Sequence, residues 1–252
     1  MRMDFGLFVA AVLGLGMQGA AAAEIKVLTT GAFKQVVVAL VPDFEKATGH
    51  KVLVDNGTVG QLIKRVDGGE HFDVLVLNPR GIEDYIKKGK IVAGTDAKVA
   101  KVGVGVMVKA GAPKPDISSV EAFKQALLKA RTVGYIDPAS GGSSGIYVAS
   151  LLERLGIAEA IKPKARLKRG GHVADLVVSG EAEIGIHQIS EIVSEKGVTL
   201  VGPLPAPIQN YTTYVVGLRA GAKDPEAGKA FIRALTGPAA AEVLKAKGME
   251  GA

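Results

Sequence analysis

Short β-branched runs separated by helix-period segments recur along this chain, and that rhythm restricts the fold to an α/β class with a mainly parallel sheet flanked by helices. The run EIKVLTT is a strand ended by Gly31. Phe33, Val36, Val37, Leu40, Val41 and Phe44 then recur at helical spacing until Gly49. HKVLVDNG is a second strand, and Leu62, Ile63 and Val66 mark a short helix behind it. FDVLVLNP is apolar throughout its middle, as a strand covered on both faces is, and Ile82, Tyr85 and Ile86 lie on the next helix. KVGVGVMVKAG alternates like a strand, and the Pro-rich APKPD after it is a connector. The pattern then predicts a helix over 118–129, a strand over 132–136, a helix over 144–155, a helix near 172–179 and the strand AEIGIHQ. The strand TTYVVGLRAG and helices over 226–235 and 238–247 close the chain.

The segment DPASGGSSG, between the strand over 132–136 and the helix over 144–155, is dense in small and hydroxyl residues. Hydroxyls and backbone N–H groups ahead of a helix are the chemistry that holds an anion. Ser140, Gly141, Gly142, Ser143 and Ser144 can present such donors to one ligand. The same segment matches G-x-S-x-G with Ser143 at its centre, and Asp175 and His187 follow in an order that would suit a triad. A nucleophile elbow needs a sharp strand-to-helix turn, whereas about six residues separate the strand end from Ser143. The context therefore argues against a hydrolase.

At the N-terminus Arg2 precedes an apolar run from Phe5 to Met17, and Ala21-Ala22-Ala23 supplies a small-residue cleavage site. Residues 1–23 read as a secretory signal peptide, too short in its apolar part to span a bilayer, so no membrane insertion is expected after cleavage near Glu24. Cysteine is absent, which excludes disulfides and thiolate metal sites and fits an exported, periplasmic chain. The net charge of +6 favours anionic partners, but the lysines are scattered without interleaved aromatics, so nucleic acid is not expected. His50, His71, His172 and His187 show no metal-ligand spacing, and neither metal nor cofactor is expected.

The opening EIKVLTTGAFKQVVVALVPDFEKATGHKV resembles the first βαβ unit of molybdate-binding-type periplasmic proteins, a branch of the type 2 solute-binding proteins of ABC transporters. DVLVLNP, GEAEIGIHQISE and AGKAFIRALTGPAAAEVLKAKGM match the same family in the same order. The resemblance implies two lobes, each a mainly parallel sheet flanked by helices, with two crossings between them. Mapped onto this chain, lobe one is 24–109 plus 210–252 and lobe two is 110–209. It also implies a monomer that offers its ligand to an ABC permease when the cleft closes. An aconitate isomerase is known on the same scaffold.

In that mapping four loops meet at strand ends. Thr30, Gly31 and Ala32 take the family's first hydroxyl and N–H roles, and Thr58 in NGTVG takes the second hydroxyl. Ser140, Ser143 and Ser144 belong to the third loop. His187 and Gln188 fall near the family's ligand-contacting tyrosine, which this sequence lacks there. Lys34, Arg80, Arg169 and His172 lie close to these loops, and several cations converging on one cleft would suit a di- or tricarboxylate better than an oxyanion. Capture of a small anion for import is the leading reading. The alternative is an isomerase acting on a tricarboxylate, with His187 as the catalytic proton carrier.

Overall fold

The computed structural model describes residues 22–252. The apolar run behind the signal-peptide reading lies outside that range. Among the described residues no helix is long and apolar enough to cross a membrane.

The chain begins β1 (Glu24–Thr30), α1 (Gly31–Thr48), β2 (Lys51–Gly57), α2 (Val59–Asp67), β3 (Val74–Leu77) and α3 (Pro79–Lys87). The long β4 (Ala97–Lys109) follows, then α4 (Val120–Lys129), β5 (Val133–Ile136), α5 (Ser143–Arg154) and α6 (Ala158–Ile161). Next come β6 (Ala165–Lys168), α7 (Ala174–Val178), β7 (Ile184–Gln188), α8 (Ile189–Val193) and β8 (Val198–Pro203). The chain ends with β9 (Tyr211–Leu218), α9 (Pro225–Thr236) and α10 (Pro238–Ala246).

The strands line up as β2-β1-β3-β9-β4-β7-β5-β6, with β8 also paired to β4. In one half β1 runs parallel to β2 and β3, and in the other β5 runs parallel to β6 and β7. Antiparallel β9 and β4 join the halves. This is the two-lobed type 2 periplasmic binding protein architecture, and β4 is the element both lobes share. Its stretch Ala97–Gly103 pairs β9, while Val104–Lys109 pairs β7 and β8. The change of partner thus falls inside the strand, between Gly103 and Val104. The carboxamide of Gln209 accepts from Val104 N and donates to Val104 O, both at 2.9 Å, which ties the second crossing to the first at that point.

Each half-sheet is covered on both faces, as the period-two alternation requires. Ile25, Val27, Val74 and Val76 face α1, α9 and α10, where Phe44 meets Phe231 edge-on with ring centroids 4.9 Å apart. Leu28, Leu75 and Leu77 face α2 and α3 on the opposite side. In the second half Val104, Val106, Ile184 and Ile186 pack under α4, α5 and α6, and Met107 packs with α7 and α8. Two strands were not evident from the sequence. β6 (ARLK) is a partly exposed edge without apolar alternation, and β8 is only half-buried along its length.

An ion cluster fastens α2 to the β1–β2 edge. Arg65 reaches Glu70 at 2.6 Å and also pairs with Asp55, while Lys26 Nζ lies 2.8 Å from Glu70. The Arg65 guanidinium first, and Lys26 next, hold the Glu70 carboxyl down to about 2. A depressed folded-state pKa stabilises the fold fully above the ordinary glutamate range and is lost as pH falls through about 2. Urea unfolding of Glu70→Gln across acidic pH is therefore expected to show a flatter loss of stability than the wild type.

Candidate functional site

Five strand-to-helix junctions meet between the two lobes and line a cavity of about 50 Å³. Its wall contains Thr30, Gly31 and Ala32 from the start of α1, and Asn56, Gly57, Thr58 and Val59 at the start of α2. Ile136 at the end of β5 and Gly142, Ser143 and Ser144 at the start of α5 form another side. Gly171 and His172 precede α7, His187 and Gln188 end β7, Glu191 lies on α8, and Tyr214 comes from β9. Carboxyl ends of parallel strands are where such a fold leaves helix N-termini free to meet a ligand.

Four of those N-termini lack a side-chain cap, those of α1 and α5 and of the short α7 and α8. Thr30 is the N-cap of α1 without a side-chain cap bond, and its Oγ1 is buried with no hydrogen-bond partner. Gly142 is the N-cap of α5 and has no side chain to offer. By contrast α3, α4 and α9 are capped by Asn78, Ser119 and Asp224. Open N–H groups, the Thr30 hydroxyl and the Ser143 and Ser144 hydroxyls make the cavity a donor-rich space.

Thr58 lines the cavity in a different role from the expected one. Its hydroxyl donates to Ser140 O, in the opposite lobe, and accepts from Gln61 N in a capping box. A hydroxyl has one proton, so Thr58 has none left for a ligand. Ser140 does not line the cavity, and its hydroxyl donates to Asp137 O at 2.7 Å.

Nine of the thirteen expected residues border the cavity: Thr30, Gly31, Ala32, Thr58, Ser143, Ser144, His172, His187 and Gln188. Lys34, Arg80 and Arg169 do not, and among the described residues no lysine or arginine lines it. The Arg169 side chain is 90% exposed beside Asp137, at 3.4 Å. Arg80 is exposed and Lys34 half-buried, so none of the three cations from which a carboxylate preference was expected contributes to the wall.

The site also holds groups that sequence spacing missed. Tyr214 lies across the sheet and donates to Gln188 Oε1, while Gln188 Nε2 donates to Thr212 Oγ1 at 3.1 Å. Burial first, then the nearby Glu191 charge, pushes the Tyr214 phenol well above its ordinary range. A tyrosine thus reaches the cavity from β9 instead of from the end of β7. Glu191 Oε2 stands 3.1 Å from His187 Nδ1, with both side chains nearly enclosed. Its other oxygen lies 2.7 Å from where a Cβ on Gly31 would be, so a larger residue there would require the Glu191 carboxylate to shift. Histidine and glutamate four apart at a strand end (HQISE) were the signal available for this pair.

This chain belongs to the bacterial extracellular solute-binding protein family, whose model matches residues 25–250. It is 30% identical over 232 residues to an aconitate isomerase from a Pseudomonas species, across 90% of this chain and 87% of that one. It is 30% identical over 253 residues to the molybdate-binding protein ModA of Azotobacter vinelandii, across 96% of each chain. Among solved structures, the periplasmic molybdate-binding protein of Azotobacter vinelandii superposes with a TM-score of 0.74 at 20% identity, over 89% of this chain and 98% of that one. The sulfate-binding protein SubI of Mycobacterium tuberculosis superposes with a TM-score of 0.72 at 18% identity, over 91% and 87%.

Proposed function

We propose that this chain captures a small oxyanion in the cleft between its lobes, as a monomeric periplasmic protein that delivers it to an ABC permease. The lobes would be 24–109 with 210–252, and 110–209. The observation that carries the reading is the donor-lined cavity, with the uncapped N-termini of α1 and α5 and, among the described residues, no lysine or arginine on its wall. Dipoles and hydroxyls supply most of the donors a compact oxyanion takes. A tricarboxylate, with six carboxyl oxygens, calls for guanidinium partners. The relatives named for molybdate agree with this reading.

The test is ligand-dependent melting against molybdate, tungstate, sulfate, phosphate, citrate and both aconitates. A ligand at 100 times its dissociation constant stabilises by about 2.7 kcal/mol. Stabilisation by citrate or aconitate alone would reverse the choice of ligand class. Ser143→Ala with Ser144→Ala is expected to weaken the true ligand at least tenfold, about 1.4 kcal/mol for hydrogen bonds lost from the α5 N-terminus. Titration calorimetry on the folded double variant measures it, and unchanged affinity would remove that helix from the site.

A second reading has its own observation. The enclosed His187–Glu191 pair is the arrangement a proton-shift isomerase needs, and the Pseudomonas relative is named for that chemistry. Incubation of the pure protein with cis-aconitate, followed by chromatography of the isomers, separates the two. Conversion well above a heat-inactivated control would replace the binding-protein reading with the enzymatic one.

A further inference from the structure

We propose that anion capture here is linked to proton uptake: the bound anion is held by doubly protonated His187, braced from behind by Glu191. The inference rests on the oxyanion reading above and adds the charge state in which that site works.

The argument starts from chain geometry. β7 ends at Gln188 and α8 follows without a linker, so one helical turn brings Glu191 Oε2 to 3.1 Å from His187 Nδ1. The side chains are 3% and 10% exposed, and both border the cavity. Among the described residues, neither ring nitrogen of His187 has an aligned hydrogen-bond partner.

Among the described residues, the surrounding elements put no lysine or arginine on the cavity wall. β9 contributes Tyr214, whose hydroxyl is engaged by Gln188. The turn before α7 contributes His172, itself backed by Glu195 at 3.1 Å. β4 places Gly105 opposite His187, α1 contributes Gly31 and Ala32, and α5 contributes Ser143 and Ser144. An anion entering this space therefore meets the Glu191 carboxylate, and among the described residues no lysine or arginine on the wall offsets it. Two like charges in a poorly solvated cavity are strongly unfavourable.

A neutral imidazole does not solve the problem. If its one proton faces Glu191, Nε2 turns a lone pair toward the anion. If the proton sits on Nε2, Glu191 faces a lone pair instead. The imidazolium donates on both sides and cancels one charge. Binding thus favours the protonated ring, and by linkage affinity falls as pH rises.

Molybdate is the probe, because it is fully deprotonated at mildly alkaline pH and any proton taken up must sit on the protein. Calorimetry in two buffers of different ionisation enthalpy is expected to give uptake of about one proton per molybdate bound. Affinity should fall by up to about tenfold per pH unit above neutrality. His187→Gln, which keeps a donor amide but cannot titrate, should abolish the uptake and flatten the pH dependence. Glu191→Gln should raise affinity at alkaline pH, where the carboxylate is the repelling group. Molybdate binding without proton uptake would overturn this inference and leave the oxyanion reading intact. Uptake that survives in His187→Gln would overturn it too, by moving the proton to another group on the wall, such as His172 or Glu191. Failure of molybdate, sulfate and phosphate alike to bind would overturn the oxyanion reading itself, and this inference with it.

Discussion

Gly60→Ala is expected to lower ligand affinity by roughly tenfold to a hundredfold while leaving the ligand-free protein at least as stable as the wild type. Gly60, in α2, meets Gly141 across the cleft backbone to backbone. A Cβ on Gly60 would lie 2.9 Å from both Gly141 Cα and Ser140 O. Gly60 N also donates to Gly141 O at 3.2 Å. Thr58 Oγ1 donates to Ser140 O, and Gln61 Nε2 donates to Arg169 O at 2.8 Å. These bonds hold the lobes at the closeness that forms the cavity. The added methyl group collides with main chain, so no side-chain rotation relieves it and the lobes must separate. Overpacking of this kind costs about 1–3 kcal/mol, and about 1.4 kcal/mol is a factor of ten in affinity. Within α2 itself alanine is the better helix former by about 1 kcal/mol, which is why the unliganded protein should not suffer. Calorimetry gives the affinity, and small-angle scattering the lobe separation. Wild-type affinity in Gly60→Ala would show that the liganded lobes do not close on this contact.

Gly145→Ala should act on the fold itself. Gly145 is buried in the first turn of α5, and a Cβ there would lie 2.2 Å from Ile136 O and 2.8 Å from Ile136 C. Those are main-chain atoms at the end of β5, so α5 must lift off the sheet to accept the methyl group. Lifting it loosens Val148, Leu151 and Leu152 from Val133 and Tyr135. A loss of about 3 kcal/mol is expected, the upper end of the usual range for overpacking because the overlap is with backbone. At roughly 2–4 °C per kcal/mol for a chain of this size, the melting temperature should drop by about 6–12 °C. Scanning calorimetry reads it, with Ile146→Ala on the exposed face of the same helix as a near-neutral control. A melting temperature within 2 °C or so of wild type would mean that α5 packs farther from β5 than the main-chain approach implies.

Much of the architecture was legible before any coordinates, because burial imposes a period on the sequence. Alternation in EIKVLTT and the unbroken apolar run in FDVLVLNP reflect strands covered on both faces, and the structure places Ile25, Val27, Leu28 and Val74–Leu77 on those faces. The Gly/Ser segment before α5 was visible for the same local reason. Only small residues fit against Gly60 and Ile136, and hydroxyls cluster where a helix starts. Where burial is partial the period fades, and β6 and β8 went unread.

The sequence by itself determined the fold class, the family resemblance and the four loops that meet at the cleft. The tertiary structure decided what each loop's groups do. Thr58 spends its proton on Ser140 across the cleft, Tyr214 arrives from a strand far along the chain, and Lys34, Arg80 and Arg169 stay off the cavity wall. Periodicity reports whether a side chain is buried by its own element. It carries no information about which donors a distant segment has already engaged, or which way a long charged side chain extends into solvent. Those depend on contacts between residues far apart in sequence, and they exist only once the two lobes have been brought face to face.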